Sequence, residues 1–259
     1  MSSVSRQTLS QWLNQSLQVH NFKDYAPNGL QLQGKPEIKK VVVGVTASKA
    51  FLEKAVQVQA DAVIVHHGWF WKNEDPCITN MKYERIAYAI KQDLNVFGYH
   101  LPLDAHPEWG NNAQLAKVLG FNVSLIEGRP ETCGPGDLVW LGSPPAGKEE
   151  LGVLLQHIET ILQRSVLFIG NNDKKVSRIA WCTGGAQGYF DAAIAAGAEL
   201  FITGEASEQV FHMAQESGVA FIGAGHHATE RYGVQALGEA LKTQFPSLEV
   251  EFIDIPNPV

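Results

Sequence analysis

The chain has 259 residues, 45% of them apolar and 18% charged, which excludes a disordered or fibrous protein and leaves enough length to bury a proper core. A net charge of −7 speaks against a surface built for nucleic acid. Cys77, Cys133 and Cys182 are far apart and form no C-x-x-C pair, so a disulfide framework is not expected and a reducing, cytoplasmic compartment is.

No apolar run approaches the ~20 residues that span a bilayer, and the start of the chain lacks the apolar stretch of a signal peptide. A soluble protein without membrane partners is the expectation. Leu9, Trp12, Leu13 and Leu17 recur at helical spacing, predicting an amphipathic helix over residues ~5–19. Asn28-Gly29 marks a turn, and Leu30 and Leu32 around Gln31 suggest a short strand. The run 41–46 reads as a buried parallel strand. Ser48 can cap the following helix, which buries Phe51, Leu52, Ala55 and Val56. A second strand over 62–65 ends at His66 and His67. After a helix over ~82–92, a third strand over 95–99 ends at His100. Residues 111–119 read as a helix stopped by Gly120, and 121–126 as a strand closing the first half.

The segment 128–148 holds four prolines and five glycines and reads as a crossover, with a short strand over 138–141. Leu151, Leu154, Leu155, Ile158 and Leu162 define the clearest helix. Strands are expected over 166–169, 178–182, 200–203, 219–223 and 250–253. Helices are expected around Phe190–Ile194, over 207–216 before Gly218, and over ~229–243.

The two halves repeat. With an offset of 138 residues, Val41–Val45 falls on Ile179–Thr183, Ala60–Val65 on Ala198–Thr203, and His66-His67 on Gly204-Glu205. With an offset of 126, His100 falls on His226 and Asp104 on Glu230. The expectation is therefore an α/β fold made by internal duplication, with residues 1–127 as one repeat and 128–259 as the other. Ligands gather at the carboxyl ends of strands in such folds, and each histidine cluster follows a predicted strand. A pseudo-twofold pairing of the halves would bring both sets of strand ends to one cleft.

Six of the nine histidines fall into three clusters: His66 and His67, His100 and His106, His226 and His227. Imidazole and carboxylate are the ligand set of Zn, Fe, Mn, Ni or Co, and no thiolate lies in the clusters. His226 and Glu230 are four residues apart and can chelate from one helical face. Asp104 supplies a second carboxylate. His66, His67, Asp104, His226 and Glu230 exceed the needs of one catalytic zinc, so two divalent metal ions are the economical arrangement. Two ions ~3.5–4 Å apart activate a bridging water and stabilise a hydrolytic transition state.

Taken alone, His66-His67 is as well explained as a polar strand terminus, and His226 with Glu230 is better explained as an exposed helix pair. Their conjunction at matching repeat positions favours the metal. His157 and His212, in predicted helices, read as surface or core groups, and His20 has no comparable company. Glu205 is either a group assisting at the site or a cap for the helix near Ser207. The run Cys182–Gly188 suits anion binding by backbone N–H groups but lacks the lysine and glycine spacing of a nucleotide loop; a tight turn is the commoner reading. Trp69, Phe70 and Trp71 read as buried aromatics before a base-stacking platform.

These residues resemble a known family. The likeness is carried by Asn28-Gly-Leu-Gln31, His66-His67-Gly-Trp-Phe-Trp71, Gly98-Tyr-His-Leu-Pro-Leu-Asp-Ala-His106 and Gly110-Asn-Asn-Ala113. It continues through Trp181-Cys-Thr-Gly-Gly185, Ile202-Thr-Gly-Glu205, Gly225-His-His-Ala-Thr-Glu230 and Phe252-Ile-Asp-Ile-Pro-Asn-Pro258. Over its whole length the chain is similar to the dinuclear-metal-centre family of YbgI proteins, the GTP cyclohydrolase 1 type 2 homolog group. The resemblance implies two intertwined α/β repeats, a toroidal homohexamer with metal sites facing an internal cavity, and the ligands His66, His67, Asp104, His226 and Glu230, with Glu230 as a bridge. Gly68, Leu101 and Pro102 stand where the wider family often has a proline after the double histidine and a His-Thr-Asn-x-Asp stretch. The metal-binding atoms are kept. The functional expectation is a two-metal hydrolase of a small molecule, nucleotide or pterin-like, with His100 or Glu205 assisting proton transfer. The rival expectation is a non-catalytic protein that handles metal.

Overall fold

The computed structural model describes residues 3–259. Two compact units share the chain: Met1–Gly110 with Gly233–Pro256, and Asn111–Tyr232 with Asn257–Val259. This division differs from a cut of the sequence into successive repeats. The helix over 111–119 belongs to the second unit, and the C-terminal strand belongs to the first.

In the first unit, helix α1 (Arg6–Ser16) begins at Ser5, whose hydroxyl accepts the Thr8 N–H. Strand β1 (Gly29–Leu32) follows, then β2 (Lys40–Thr46). Helix α2 (Lys49–Gln57) starts as expected at Ser48, which accepts the Phe51 N–H. Strand β3 (Ala62–His67) is longer than the residue pattern suggests and takes both histidines as its last two residues. Helix α3 (Asn80–Lys91), strand β4 (Asn95–Gly98) and the short helix α4 (Leu101–Ala105) complete the run. Helix α4 has no counterpart among the expected elements: five residues with a proline at the start are too few to display a period.

In the second unit lie α5 (Asn111–Leu119), β5 (Val139–Ser143), α6 (Leu151–Leu162), β6 (Leu167–Ile169), β7 (Ile179–Trp181), α7 (Phe190–Ala195), β8 (Leu200–Thr203), α8 (Glu208–Ser217) and β9 (Ala220–Gly223). Helix α9 (His226–Gln244) gives its first turns to this unit and its residues from Gly233 onward to the first. Strand β10 (Glu249–Phe252) returns to the first sheet.

The duplication is visible in the sheets. In the first, β10, β2, β3 and β4 run parallel and β1 closes the edge antiparallel. In the second, β7, β8 and β9 run parallel, with β6 antiparallel at one edge and β5 antiparallel beside β7. The central parallel strands β2, β3 and β4 carry near-continuous apolar runs because helices cover both faces: Val41, Val43, Ile64 and Phe97 are buried with α1 residues Leu9 and Leu13, while Val42, Val63 and Val96 pack with Phe51, Leu52 and Ala55 of α2. The second core joins Trp181, Ile202 and Ile222 to Leu154 and Ile158 of α6.

The expected single strand over 121–126 is a correction. Asn122–Val123 pairs with β5, and Leu125–Ile126 makes a separate two-residue pairing with Arg129–Pro130. Leu125 and Ile126 are exposed, so their apolar character does not mark a core strand.

Candidate metal centre

In the first unit the side-chain alternation of β3 and the end of its ladder set the histidines apart. His66 is 1% exposed, and its Nδ1 donates to the Tyr99 carbonyl at 3.0 Å. His67 pairs in register with Thr46, whose Oγ1 is 3.2 Å from His67 Nδ1. In both rings Nδ1 is engaged by the protein, so Nε2 is the nitrogen that could take a metal. His66 Nε2 stands 3.5 Å from Asp104 Oδ1, and Asp104, on α4, is buried.

His100 follows the carboxyl end of β4 and belongs to the same group. Its Nδ1 donates to Asp24 Oδ1 at 2.7 Å. Asp24 Oδ2 accepts the Leu101 N–H at 2.9 Å and the Asn28 amide at 2.8 Å, and Asn28 Oδ1 accepts the His100 N–H at 2.7 Å. Burial would raise the Asp24 pKa, but the hydrogen bond and charge of His100, with Asn28 and Leu101, bring it down to about 2. His66, His67 and His100 each offer a ligand atom within 4.8 Å of the other two.

Gln31 braces this strand end. Its Oε1 accepts the Trp69 N–H at 2.7 Å and its Nε2 donates to the Pro27 carbonyl at 2.8 Å. A Cβ at Gly68 would overlap the Gln31 amide, so a larger residue there requires the Gln31 side chain to move. Trp69 is core, its indole N–H bonded to the Ala47 carbonyl at 3.0 Å. Trp71 instead stands edge-on to His100, with centroids 5.0 Å apart.

In the second unit His226 opens α9, and Glu230 lies one turn on, 3% exposed. His226 Nε2 is 3.1 Å from Glu230 Oε2, and His226 Nδ1 donates to Glu205 Oε1 at 2.6 Å. Burial opposes charge on this ring, but Glu230 and Glu205 overcome it and raise the His226 pKa to about 9. Glu205 therefore orients a histidine rather than acting as the cap of α8; Ser207 occupies the cap position.

The glycine-rich turn after β7 wraps this pair. Gly184 N–H donates to Thr229 Oγ1 at 3.0 Å and Ala186 N–H to Thr203 Oγ1 at 3.1 Å. Those amides serve the turn itself, in keeping with the tight-turn reading of 182–188. At Gly184 φ is +69°, and a Cβ there would overlap Glu230 Oε1.

Four other histidines have structural partners. His106 stacks on Trp109 at 4.4 Å, its Nδ1 accepts the N–H groups of Glu108 and Trp109, and burial holds its pKa down. The backbone N–H of His227 donates to the Val259 carbonyl at 3.0 Å. His157 is 2.9 Å from the Leu119 carbonyl, and His212 pairs with Glu208 on an exposed helix face.

Imidazoles with Nδ1 fixed by the protein, beside the buried carboxylates Asp104 and Glu230, could hold a divalent transition ion. Asp24, Asn28, Gln31 and Thr46 were not identified as site-forming groups from residue pattern. Asn28 and Gln31 enter as turn and strand residues and in the family likeness, and Asp24 sits in a polar stretch without period. No described helix is long and apolar enough to cross a membrane.

The sequence profile described as Duf34/NIF3 (NGG1p interacting factor 3) matches residues 4–258. A protein of Neisseria meningitidis serogroup B named GTP cyclohydrolase 1 type 2 homolog is 52% identical over 247 residues, covering 95% of this chain and 96% of that one. Among solved structures, a protein titled ybgI, of unknown function, is 48% identical with a TM-score of 0.91, covering 99% of this chain and all of the other (100%). A protein from Thermus thermophilus is 30% identical with a TM-score of 0.82, covering 99% and 100% of the two chains.

Proposed function

We propose, for a chain that belongs to the Duf34/NIF3 family, that it is a metal-dependent hydrolase of a small molecule, with His66, His67, Asp104, His226 and Glu230 holding two divalent ions. The observation that carries this reading is the orientation of the ring nitrogens. His66 Nδ1 is fixed by the Tyr99 carbonyl and His226 Nδ1 by Glu205, so each ring turns Nε2 to a buried carboxylate, Asp104 or Glu230. Metal-ligating histidines are held this way, with one ring nitrogen fixed by the protein and the other directed at the metal position.

Two bound ions supply an acidified water and neutralise charge on the oxygens of a hydrolytic transition state. The protein's own part is to hold the imidazole rings in place and to supply ionised carboxylates, with His226 giving up its proton as metal binds. Glu205 holds His226 and, with its side chain 36% exposed, has an oxygen in reach of solvent for proton transfer; His100 is the second group in that role. Trp71 beside His100 offers an aromatic edge for a flat ring, which suits a nucleotide or pterin-like substrate. The relatives' name, GTP cyclohydrolase 1 type 2 homolog, puts GTP among the first substrates to try. A homohexamer is the expected assembly.

The test is metal analysis of the purified protein, with turnover measured on phosphoesters, cyclic nucleotides and GTP, beside Asp104→Ala and Glu230→Ala. Metal-dependent turnover lost in both variants supports the hydrolase. Tight metal without turnover on any substrate assigns the chain to metal handling instead. Metal content unchanged in both variants removes the proposed ligands. Light scattering at about six times 28.4 kDa is expected for the hexamer.

A further inference from the structure

We infer that Arg164 positions the His226–Glu230 pair through a strap, residues 257–259, that closes on the first turn of α9. The inference rests on the reading that this pair binds metal. It gives a role to the Ile255-Pro-Asn-Pro258 stretch, to which the metal centre assigns none.

Helix α9 starts at His226, and the first N–H groups of a helix have no partner within it. The N–H of His227 is served from outside, donating to the main-chain oxygen of Val259 at 3.0 Å. Arg164 holds the same segment one residue earlier, its Nη2 donating to the Pro258 carbonyl at 3.1 Å. Within the strap the Val259 N–H donates to Asn257 Oδ1 at 3.0 Å, which bends these residues into a local turn. Pro256 and Pro258 restrict the backbone on either side of Asn257, so less chain entropy opposes the arrangement.

Arg164 touches the turn before α9 as well as the strap. It follows α6, with its N–H donating to the Glu159 carbonyl and its Nε to the Ser165 carbonyl, both at 3.3 Å. At Gly225, the residue before α9, φ is +101° and a Cβ would overlap the Arg164 guanidinium. The guanidinium therefore lies where a side chain at Gly225 would begin. Gly225 is also tied to the sheet, its N–H donating to the Gly204 carbonyl at 2.9 Å. Gly204, Arg164 and Val259 together pin the backbone that delivers His226, while Glu205 holds the ring.

Residues 256–259 are exposed. Hydrogen bonds open to solvent are among the first to break in local unfolding, so the strap can leave while the sheet stays intact. Its release frees the His227 N–H and loosens the first turn, and with it the placing of His226 and Glu230.

Hydrogen exchange of the peptide spanning residues 224–232, read by mass spectrometry, compares wild type with Arg164→Ala, a variant lacking residues 257–259, and the two changes combined. Each single change is expected to quicken exchange in that peptide roughly 2–10-fold, the worth of one hydrogen bond, with peptides from β2 and β3 unchanged. Because Arg164 acts through the strap, the combined variant is expected to show less than the product of the two effects. Zn(II) affinity, measured against a competing chelator, is expected to fall by a similar factor in each variant. Faster exchange with unchanged Zn(II) affinity would uphold the strap and overturn the reading of His226 and Glu230 as ligands. Unchanged exchange in both single variants, or effects that simply multiply in the combined one, would overturn the inference. Exchange quickened throughout the chain would mark a general loss of stability and overturn it as well.

Discussion

Replacing Gly184 with alanine tests how tightly the turn after β7 fits the His226–Glu230 pair. Two costs arise, and a second glycine separates them. The backbone at Gly184 has φ +69°, a left-handed conformation that costs an L-residue with a Cβ roughly 1–2 kcal/mol. The new Cβ would overlap Glu230 Oε1, and would lie 2.9 Å from Glu230 Cδ and 3.1 Å from His226 Nε2. Glu230 is buried against the turn, so relief requires displacing its carboxylate; overpacking of this kind costs about 1–3 kcal/mol. The sum is about 2–5 kcal/mol, against roughly 1–2 kcal/mol for Gly197→Ala, where φ is +76° and nothing lies within 4 Å. Urea unfolding at constant m-value reads the stability difference, and Zn(II) titration reads the effect on the ligands. Gly184→Ala is expected to be the less stable variant and to lose at least tenfold in metal affinity, with Gly197→Ala unchanged in the latter. Equal stability and equal affinity in the two variants would refute the claim that this turn shapes the ligand pair.

Three further outcomes are expected. The His226 pKa is raised from 6.5 to about 9 because Glu230 and Glu205 outweigh the burial that opposes its charge. In metal-free protein the resulting stabilisation is complete below pH 6.5 and is lost as pH rises through 9. Unfolding free energies measured between about pH 6 and 10 should fall across that window, and Glu205→Gln should flatten the fall. The same proton competes with metal, so Zn(II) affinity should rise with pH over the same range, with about one proton released in calorimetry across buffers of different ionisation heat. Gln31→Ala removes the acceptor of the Trp69 backbone N–H, a loss of about 1–3 kcal/mol, and should weaken metal binding by loosening the bend after His67. Unchanged thermal stability and metal affinity together would show that Gln31 does not brace the strand end.

The contrast between legible and illegible parts follows from the range of the interactions. The strands β2, β3, β8 and β9 announce themselves as apolar runs, and Gly120 and Gly218 mark helix ends in the left-handed conformation as the pattern implies. Segment 121–126 has a similar composition and is not a core strand, because its pairing partners, β5 and the Arg129–Pro130 strand, decide its fate. Helix α4 is set by where β4 ends and by Asp24 accepting the Leu101 N–H, neither of which a five-residue stretch encodes.

Residue order is enough to say which donors this chain carries and that they arrive at strand ends in duplicated register, since alternation, apolar runs and repeats are local or periodic properties. The matching parallel strands of the two sheets, with an antiparallel strand at corresponding edges, bear out the duplication. Which nitrogen of each ring is available is a different kind of fact, and only the folded arrangement fixes it. Asp24 meets His100 across 76 positions, Tyr99 meets His66 across 33 and Glu205 meets His226 across 21. Hydrogen bonds act over about 3 Å in space and have no fixed separation along the chain, so the groups that orient these histidines are found only where the fold brings them together.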